Sequence, residues 1–488
     1  MVHWDDVKAN TKELAKDLYR QKIGVVGISL IALMVTIALL APVLAPEANE
    51  EWSSMEDRWA DKPERAPPVW YDYITTTDYA HHRVEEDYSV IREQQIGGSQ
   101  YMWLEFTQEI DSDVPPQEIF MKIGGNAERI DEIKVKVIRP EADTEYEDLE
   151  VWTVLEKDDI QIQNNGDFDI WQSLRRYTEF KELAVDKGFS YINSEYDVPR
   201  TEKPRVADIT NPVHVLFGKP SEDMLRDPET LRGEYTIEIR LKGEGISLDE
   251  ERTKTTFSGA VYGLMGTDTG RRDLWQGWVW GARYGLIAGG VVAIFTIILS
   301  TLYGMTSAYY GGWVDEAMQR LNEIMMGIPT LPVLIILLLY WRSIWMFITV
   351  YALLMWRGAA KVVRSRGLQV AKDTYIEASE AIGAGSGRII SRHMIPQILP
   401  YSFAQASLLI PIVIMAEAGL HILGLGDRTI VTWGTILNNS RAEGALLNLG
   451  RSWWWVLLPG LGMIMVGFGF IATGMAIERI INPKMKQR

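Results

Sequence analysis

Glu377, Ala378 and Ser379, followed by Gly383, Arg388 and Pro396, could do one kind of chemistry through their types and spacing: docking, not bond-breaking. They lie in the run Tyr375–Pro400, in a basic segment between two apolar stretches. Glu377, Ala378 and Ala381 fall at helical spacing. Alanine side chains let a helix approach a groove closely, and Glu377 offers a charge that can anchor a docked pose. Gly383 can end such a helix by adopting a positive φ. Arg388, Arg392 and His393 follow, and Pro396 is placed to break the chain before the next apolar stretch. An ordinary amphipathic loop with a glycine cap carries the same residues, so the spacing does not decide by itself.

Covalent and metal chemistry find little material. The 488 residues include no cysteine, so no disulfide, thiolate metal site or thiol nucleophile can form. The adjacent pair His81-His82 would face opposite sides of a strand and reads as structural or surface, not as a metal site. The acidic run Glu141–Glu150 lacks the fixed ligand spacing of a calcium loop and reads as a solvated loop. Paired carboxylates could run a hydrolysis elsewhere in the chain, but nothing singles out such a pair. No Gly-x-x-x-x-Gly-Lys-Ser/Thr phosphate loop occurs, so no catalytic site and no cofactor are expected in this chain.

The elements that must position the docking run are membrane segments. Six stretches lack any charge: Ile23–Pro46, Tyr284–Val314, Ile324–Trp341, Ser343–Trp356, His393–Ala416 and Ser452–Ile477. A helix needs roughly 20 apolar residues to cross a bilayer. The third stretch is short and holds Pro329 and Pro332 in its first turns. The fourth reaches adequate length through Val363, with Arg357 snorkelling to an interface; a re-entrant helix is the rival reading. The first is read as an uncleaved anchor, because 22 mostly polar residues precede it. Arg357–Arg392 carries seven basic and three acidic residues, which predicts a cytoplasmic loop and cytoplasmic termini. The link Gly311–Glu323 fits that orientation poorly, with Asp315, Glu316 and Glu323 against Arg320.

Between the first two stretches lies a large insert, Glu47–Met265, with 49 acidic and 25 basic residues. That charge argues against nucleic acid and suits a solvated domain, placed outside the cell by the orientation above. Apolar and polar residues alternate in Glu132–Arg139 and Glu234–Lys242, predicting strands of an antiparallel β-sandwich, with Ile119–Ile123, ending in Gly124-Gly125, and Leu149–Leu155 as further candidates. Trp171–Lys187 reads as a helix, and Glu47–Tyr79 as an extended connector.

The docking run resembles the EAA loop of ABC importer permeases of the dipeptide, oligopeptide and nickel family. Ser379 stands where the third position is usually alanine. Further motifs follow in the family's order. Gly266-Thr267-Asp268 through Asp273 is similar to G-T-D-x-x-G-R-D, with Arg271 in place of the second glycine. Trp280-Gly281-Ala282-Arg283 is similar to Y-G-A-R, and Glu417 through Gly424 and Gly426 to E-A-S-L-S-F-L-G-L-G. Tyr309–Asp315, Trp433-Gly434, Pro459-Gly460 and Asn482-Pro483 also resemble family positions.

The resemblance implies a mainly α polytopic protein with six transmembrane helices and the type I importer fold, carrying a mainly β extracellular insert. The expected domains are a cytoplasmic segment at 1–22, a first helix at 23–46, the insert at 47–265 and a permease core at 266–488, with its coupling loop at 357–398. The resemblance further implies a homologous second permease, two ATPase subunits holding ATP and Mg, and an external solute-binding protein. Glu417 is a functional carboxylate or a structural one; the motif leaves both open. A membrane-anchored receptor or enzyme, with the external domain as its working part, is the alternative.

Overall fold

The computed structural model describes residues 21–48, 52, 59–140, 155–156, 162–163, 166–174, 182, 185–186, 189, 214–219, 221 and 229–481. The chain divides into two compact units, Met55–Asp273 and the remainder.

The helical unit starts with α1 (Lys22–Leu39) and resumes with α2 (Leu274–Tyr310). Then come α3 (Gly312–Gly327), α4 (Thr330–Tyr340), α5 (Ile344–Val370), α6 (Thr374–Ala381), α7 (Ile395–Ile422), α8 (Trp433–Ala442) and α9 (Leu449–Ile481). Among the described residues, five helical runs are long and apolar enough to cross a membrane, and α3 with α4, bent by 61°, makes a sixth if the pair is one span. Apolar side chains such as Ile294, Ile298, Phe403, Met415 and Ile464 point outward, as lipid requires.

The third span, short and loosened by proline in the sequence at Ile324–Trp341, is broken outright in its first turns. Ile328 and Pro329 leave helical geometry between α3 and α4. Proline removes a donor and crowds the preceding turn, so the break falls there. Arg357 corrects the sequence reading: it does not snorkel. It is 8% exposed, inside α5, and donates to the Met325 carbonyl and the Thr330 hydroxyl. The bend frees a carbonyl, and the guanidinium satisfies it. Asn322 Nδ2 donates back to the Arg357 carbonyl at 3.1 Å.

The charge misfit of the link after α2 also has a local explanation. Gly311 and Gly312 turn the chain with φ of 58° and 52°. This seats Asp315 against Arg364, whose Nε donates to Oδ1 at 2.6 Å. The acidic link is partly neutralised by its own helix neighbour.

Among the described residues, the second unit holds two antiparallel five-stranded sheets. One runs β1 (Arg83–Glu85), β10 (Lys254–Ser258), β4 (Glu118–Asn126), β7 (Asp167–Ser173), with β9 (Ser247–Leu248) also on β4. The other runs β2 (Ser89–Ile96), β3 (Ser99–Ile110), β8 (Gly233–Glu244), β5 (Arg129–Ile138), β6 (Leu155–Glu156). A single core joins Leu104, Phe106, Val135, Ile237 and Ile239 of one sheet to Ile119, Met121, Phe168 and Phe257 of the other. In β8, Tyr235, Ile237, Ile239 and Leu241 are each fully buried and alternate with polar residues, the period-2 pattern of a half-covered strand.

Three expectations change here. The helix predicted over Trp171–Lys187 opens as strand, since Trp171–Ser173 end β7; Leu174 and residues 182, 185 and 186 are helical and the others of that stretch lie outside the described residues. Of Leu149–Leu155, only Leu155 is described, and it is in β6. The described part of Glu47–Tyr79 is no extended connector: Trp59 and Ala66 are buried in this unit, and Val69–Tyr71 and Asp72–Thr75 form short helical turns. Trp52 is buried in the helical unit, where its ring fills the space a side chain at Gly277 would need.

Candidate functional site

The docking run folds into α6 and a glycine-rich elbow leading to α7. Glu377 sits in the first turn of α6, where a carboxylate complements the exposed N–H groups of the helix start. The helix ends at Gly383, with φ 86°. The Ala384 N–H donates to the Ser379 carbonyl at 3.0 Å and the Gly383 N–H to the Glu380 carbonyl at 2.9 Å, the paired bonds of a left-handed glycine terminus. Ser379 Oγ donates to the Tyr375 carbonyl at 2.7 Å, so serine in the third position is absorbed by its own helix.

One side of α6 is anchored. Ile376 is buried with Ile389, Ile390, Met394 and Ile398, and this cluster includes Met305 of α2 and Val363 of α5. The opposite side is open: Glu377, Ala378, Glu380, Ala381 and Gly383 are exposed, as are Arg388 and Pro396. Ile382 is 85% exposed at the tip. The sequence reading passed over it, although an aliphatic residue beside a helix-ending glycine in a polar loop was the available signal. Pro396 does not break the chain as expected. Helix runs from Ser386 through a π-turn at Ile390–Met394 into α7, and Pro396 takes one of the first two positions of α7. A wider turn beside a proline accommodates its missing N–H without a break.

The other motif positions gather in two further places. Glu417 and His421 lie one turn apart near the far end of α7, buried and 2.9 Å from each other. His421 Nε2 lies 3.4 Å from the Asp427 carbonyl. Gly424, with φ 79°, ends α7. Gly426 is required by contact, because a Cβ there would lie 1.8 Å from the His421 ring. From Pro396 to Glu417 the helical rise amounts to about 32 Å, close to a bilayer core of roughly 30 Å. The two clusters therefore sit at opposite ends of one span. Glu417, for which both readings stood open, is buried with its carboxylate 2.9 Å from the His421 ring. Gly281 lets Trp433 of α8 seat against α2, where a Cβ would lie 2.5 Å from its ring. Arg283 lies 5.1 Å over the Trp280 ring.

Gly266, Thr267, Asp268 and Asp273 fold with the β unit. Thr267 Oγ1 donates to the Pro63 carbonyl at 2.7 Å, and Asp268 Oδ2 accepts from Arg272 Nε at 2.7 Å. Arg271 keeps the turn in its glycine-like conformation, with φ 63°. Its guanidinium reaches buried Glu118, donates to the Lys62 carbonyl at 2.7 Å and lies 4.9 Å over the Phe120 ring. The turn thus keeps its shape despite the lost glycine.

A cavity of about 260 Å³ opens between α2, α5 and α7. It brings Thr296, Ser300, Tyr401, Ser402 and Gln405 onto otherwise apolar walls. Among the described residues no group of three or more His, Asp or Glu side chains is placed to hold a metal ion.

Residues 296–487 match the family described as the binding-protein-dependent transport system inner membrane component, and residues 11–68 match the N-terminal transmembrane domain of oligopeptide transport permease C. The dipeptide transport system permease protein of Bacillus subtilis is 30% identical over 225 residues, covering 46% of this chain and 69% of that protein. The oligopeptide transport system permease protein of Haemophilus influenzae is also 30% identical, over 46% of this chain and 71% of its own length. A solved methionine ABC transporter in inward-facing conformations is 17% identical, covering 43% of this chain and 97% of that one, with a TM-score of 0.35.

Proposed function

This chain belongs to the permease family of binding-protein-dependent ABC importers, and from that premise we propose that it forms half of the translocation path of an ATP-driven importer for peptides or related solutes. It is a multi-pass membrane protein and a transport subunit, not an enzyme. The names of its relatives support dipeptide or oligopeptide cargo. The cavity between α2, α5 and α7, apolar with a few polar groups, is the surface this reading assigns to the path. A second permease subunit, two ATPase subunits and an external solute-binding protein complete the machine. ATP and Mg belong to the ATPase subunits. The basic loop Arg357–Arg392 and both termini face the cytoplasm, and the β unit faces outside.

One observation carries the coupling role: α6 is anchored through Ile376 and leaves Glu377, Ala378 and Ile382 exposed. A rigid short helix with one buried side and one bare side can pass force from a partner into the spans. The test is a detergent pull-down of the tagged chain, co-expressed with a second permease and the ATPase subunits. Wild type should bring down the complex, and Glu377→Arg or Gly383→Pro should release the ATPase. A chain recovered alone, with both variants silent, would move the working part to the β unit.

A further inference from the structure

The β unit contains a second cavity, of about 320 Å³, between the segment Asp78–Arg83, the end of β3 and β10. That volume lies at the lower end of the range that encloses small ligands. Its walls carry charge of both signs. Asp78, Glu109 and Arg83 all line it, and among the described residues none of the three has an ion-pair partner. This sets them apart from the other charged lining groups. His81 lies 3.1 Å from Asp72, and Asp111 accepts from Arg232 at 3.2 Å. Opposite charges around one small cavity ordinarily settle by pairing; here one cation and two carboxylates stay open together. Gln108 adds an independent sign. It is only 5% exposed and lines the cavity, and its side-chain carbonyl has no hydrogen-bond partner. A buried acceptor left unpaired costs free energy until a donor arrives. Phe257 supplies an apolar wall.

We propose that this cavity binds a small zwitterion, a free amino acid or short peptide with one ammonium and one carboxylate. Asp78 and Glu109 take the ammonium. Arg83 takes the carboxylate, for which its planar fork is matched. The Gln108 carbonyl accepts an N–H of the ligand. The inference stands on the cavity alone and does not need the transport reading.

The test is isothermal titration of the full chain in detergent with alanyl-alanine, its N-acetyl derivative and its C-terminal amide. Alanyl-alanine should bind saturably. Each masked derivative should bind at least about tenfold more weakly, the cost of one charge-assisted contact. Arg83→Gln should weaken alanyl-alanine to the level of the amide while leaving the amide unchanged. Asp78→Asn with Glu109→Gln should do the same for the N-acetyl derivative. All three side chains are exposed, so the variants should melt as wild type does. If they do not, the comparison of ligands on wild type still decides. Absence of saturable binding, or equal binding of the masked derivatives, overturns the proposal. So does calcium chloride displacing the dipeptide, which would make this a cation site. Binding that survives both sets of variants lies elsewhere; that result also overturns the proposal and leaves the transport reading untouched.

Discussion

Replacing Arg271 with glycine restores the residue that the relatives' motif carries, and it should nonetheless destabilise the β unit. Two effects oppose each other. Arg271 holds φ at 63°, a left-handed conformation that costs a side-chain-bearing residue about 1–2 kcal/mol and glycine almost nothing. Against that relief stands Glu118, 1% exposed and reached by the Arg271 guanidinium. Removing one partner of a buried ion pair costs about 3–5 kcal/mol, because the remaining charge stays buried. The net loss is about 1–4 kcal/mol.

Hydrogen exchange on the full chain in detergent reads it locally. The amides of Glu118–Asn126 should exchange about 5- to 700-fold faster in Arg271→Gly, taking 1.4 kcal/mol as a factor of ten. Adding Glu118→Gln removes the stranded charge and should recover much of the loss. Exchange equal to or slower than wild type in Arg271→Gly would refute the reasoning: backbone strain would then outweigh the pair.

Three further outcomes are expected. Gly383→Ala meets no atom within 4 Å of the new Cβ, so only its φ of 86° resists; the end of α6 should lose about 1–2 kcal/mol, and reconstituted uptake per ATP hydrolysed should fall while protein levels hold. Ile382→Asp should leave the melting temperature unchanged, because the side chain is 85% exposed, yet reduce ATPase co-purification at least tenfold. His82 is pushed down from 6.5 to about 4, by burial first and by the Lys62 ammonium second. The unfolded chain therefore takes up a proton that the folded unit refuses until near pH 4. This contribution is fully present above pH 6.5 and is lost as pH falls toward 4, by about 3 kcal/mol. Circular-dichroism melts of His82→Phe should show a smaller drop between pH 7 and pH 4.5 than wild type; an identical drop would remove His82 as the cause.

The readable features were those set by local pattern. Charge-free runs marked the spans, and alternation marked β5 and β8, because one face of each is buried. Gly383 announced the end of α6 through its own backbone freedom. The missed features depend on partners distant in sequence. Arg357 stood at the end of an apolar run, where snorkelling is the ordinary expectation; its partner is a carbonyl near a proline break some thirty residues earlier. Asp315 looked like an orientation misfit until Arg364 came beside it. Arg271 looked like a spoiled turn, and only the fold brings Glu118, 153 positions away, under its guanidinium. The Trp171 strand was mistaken for helix because its pairing with β4 outweighs local propensity.

These distant pairs bear on the coupling reading. Asp315 with Arg364, and Asn322 with the Arg357 carbonyl, tie α3 to α5 at two levels, while Arg357 pins α5 to the α3–α4 bend. Each tie uses a charge or amide that would be costly to strand in an apolar setting, so α3, α4 and α5 resist sliding past one another. Only Ala371–Asp373 separates α5 from α6, and Ile376 lies in one cluster with side chains of α2, α5 and α7. A push on the bare side of α6 then reaches three spans at once through a packed contact. On the other side, Gly383, Gly385 and Gly387 supply the compliance. With Asp315, Arg357 and Arg364 committed to internal partners and Glu380 bonded to the Tyr309 side chain, Glu377 and Arg388 are the exposed charges that α6 and its elbow would offer to a partner on the coupling reading. On the coupling reading, recognition and force transfer fall on the same few residues. A change that weakens docking there should weaken coupling in proportion, whereas a change in the pinned helices should alter transport without altering docking.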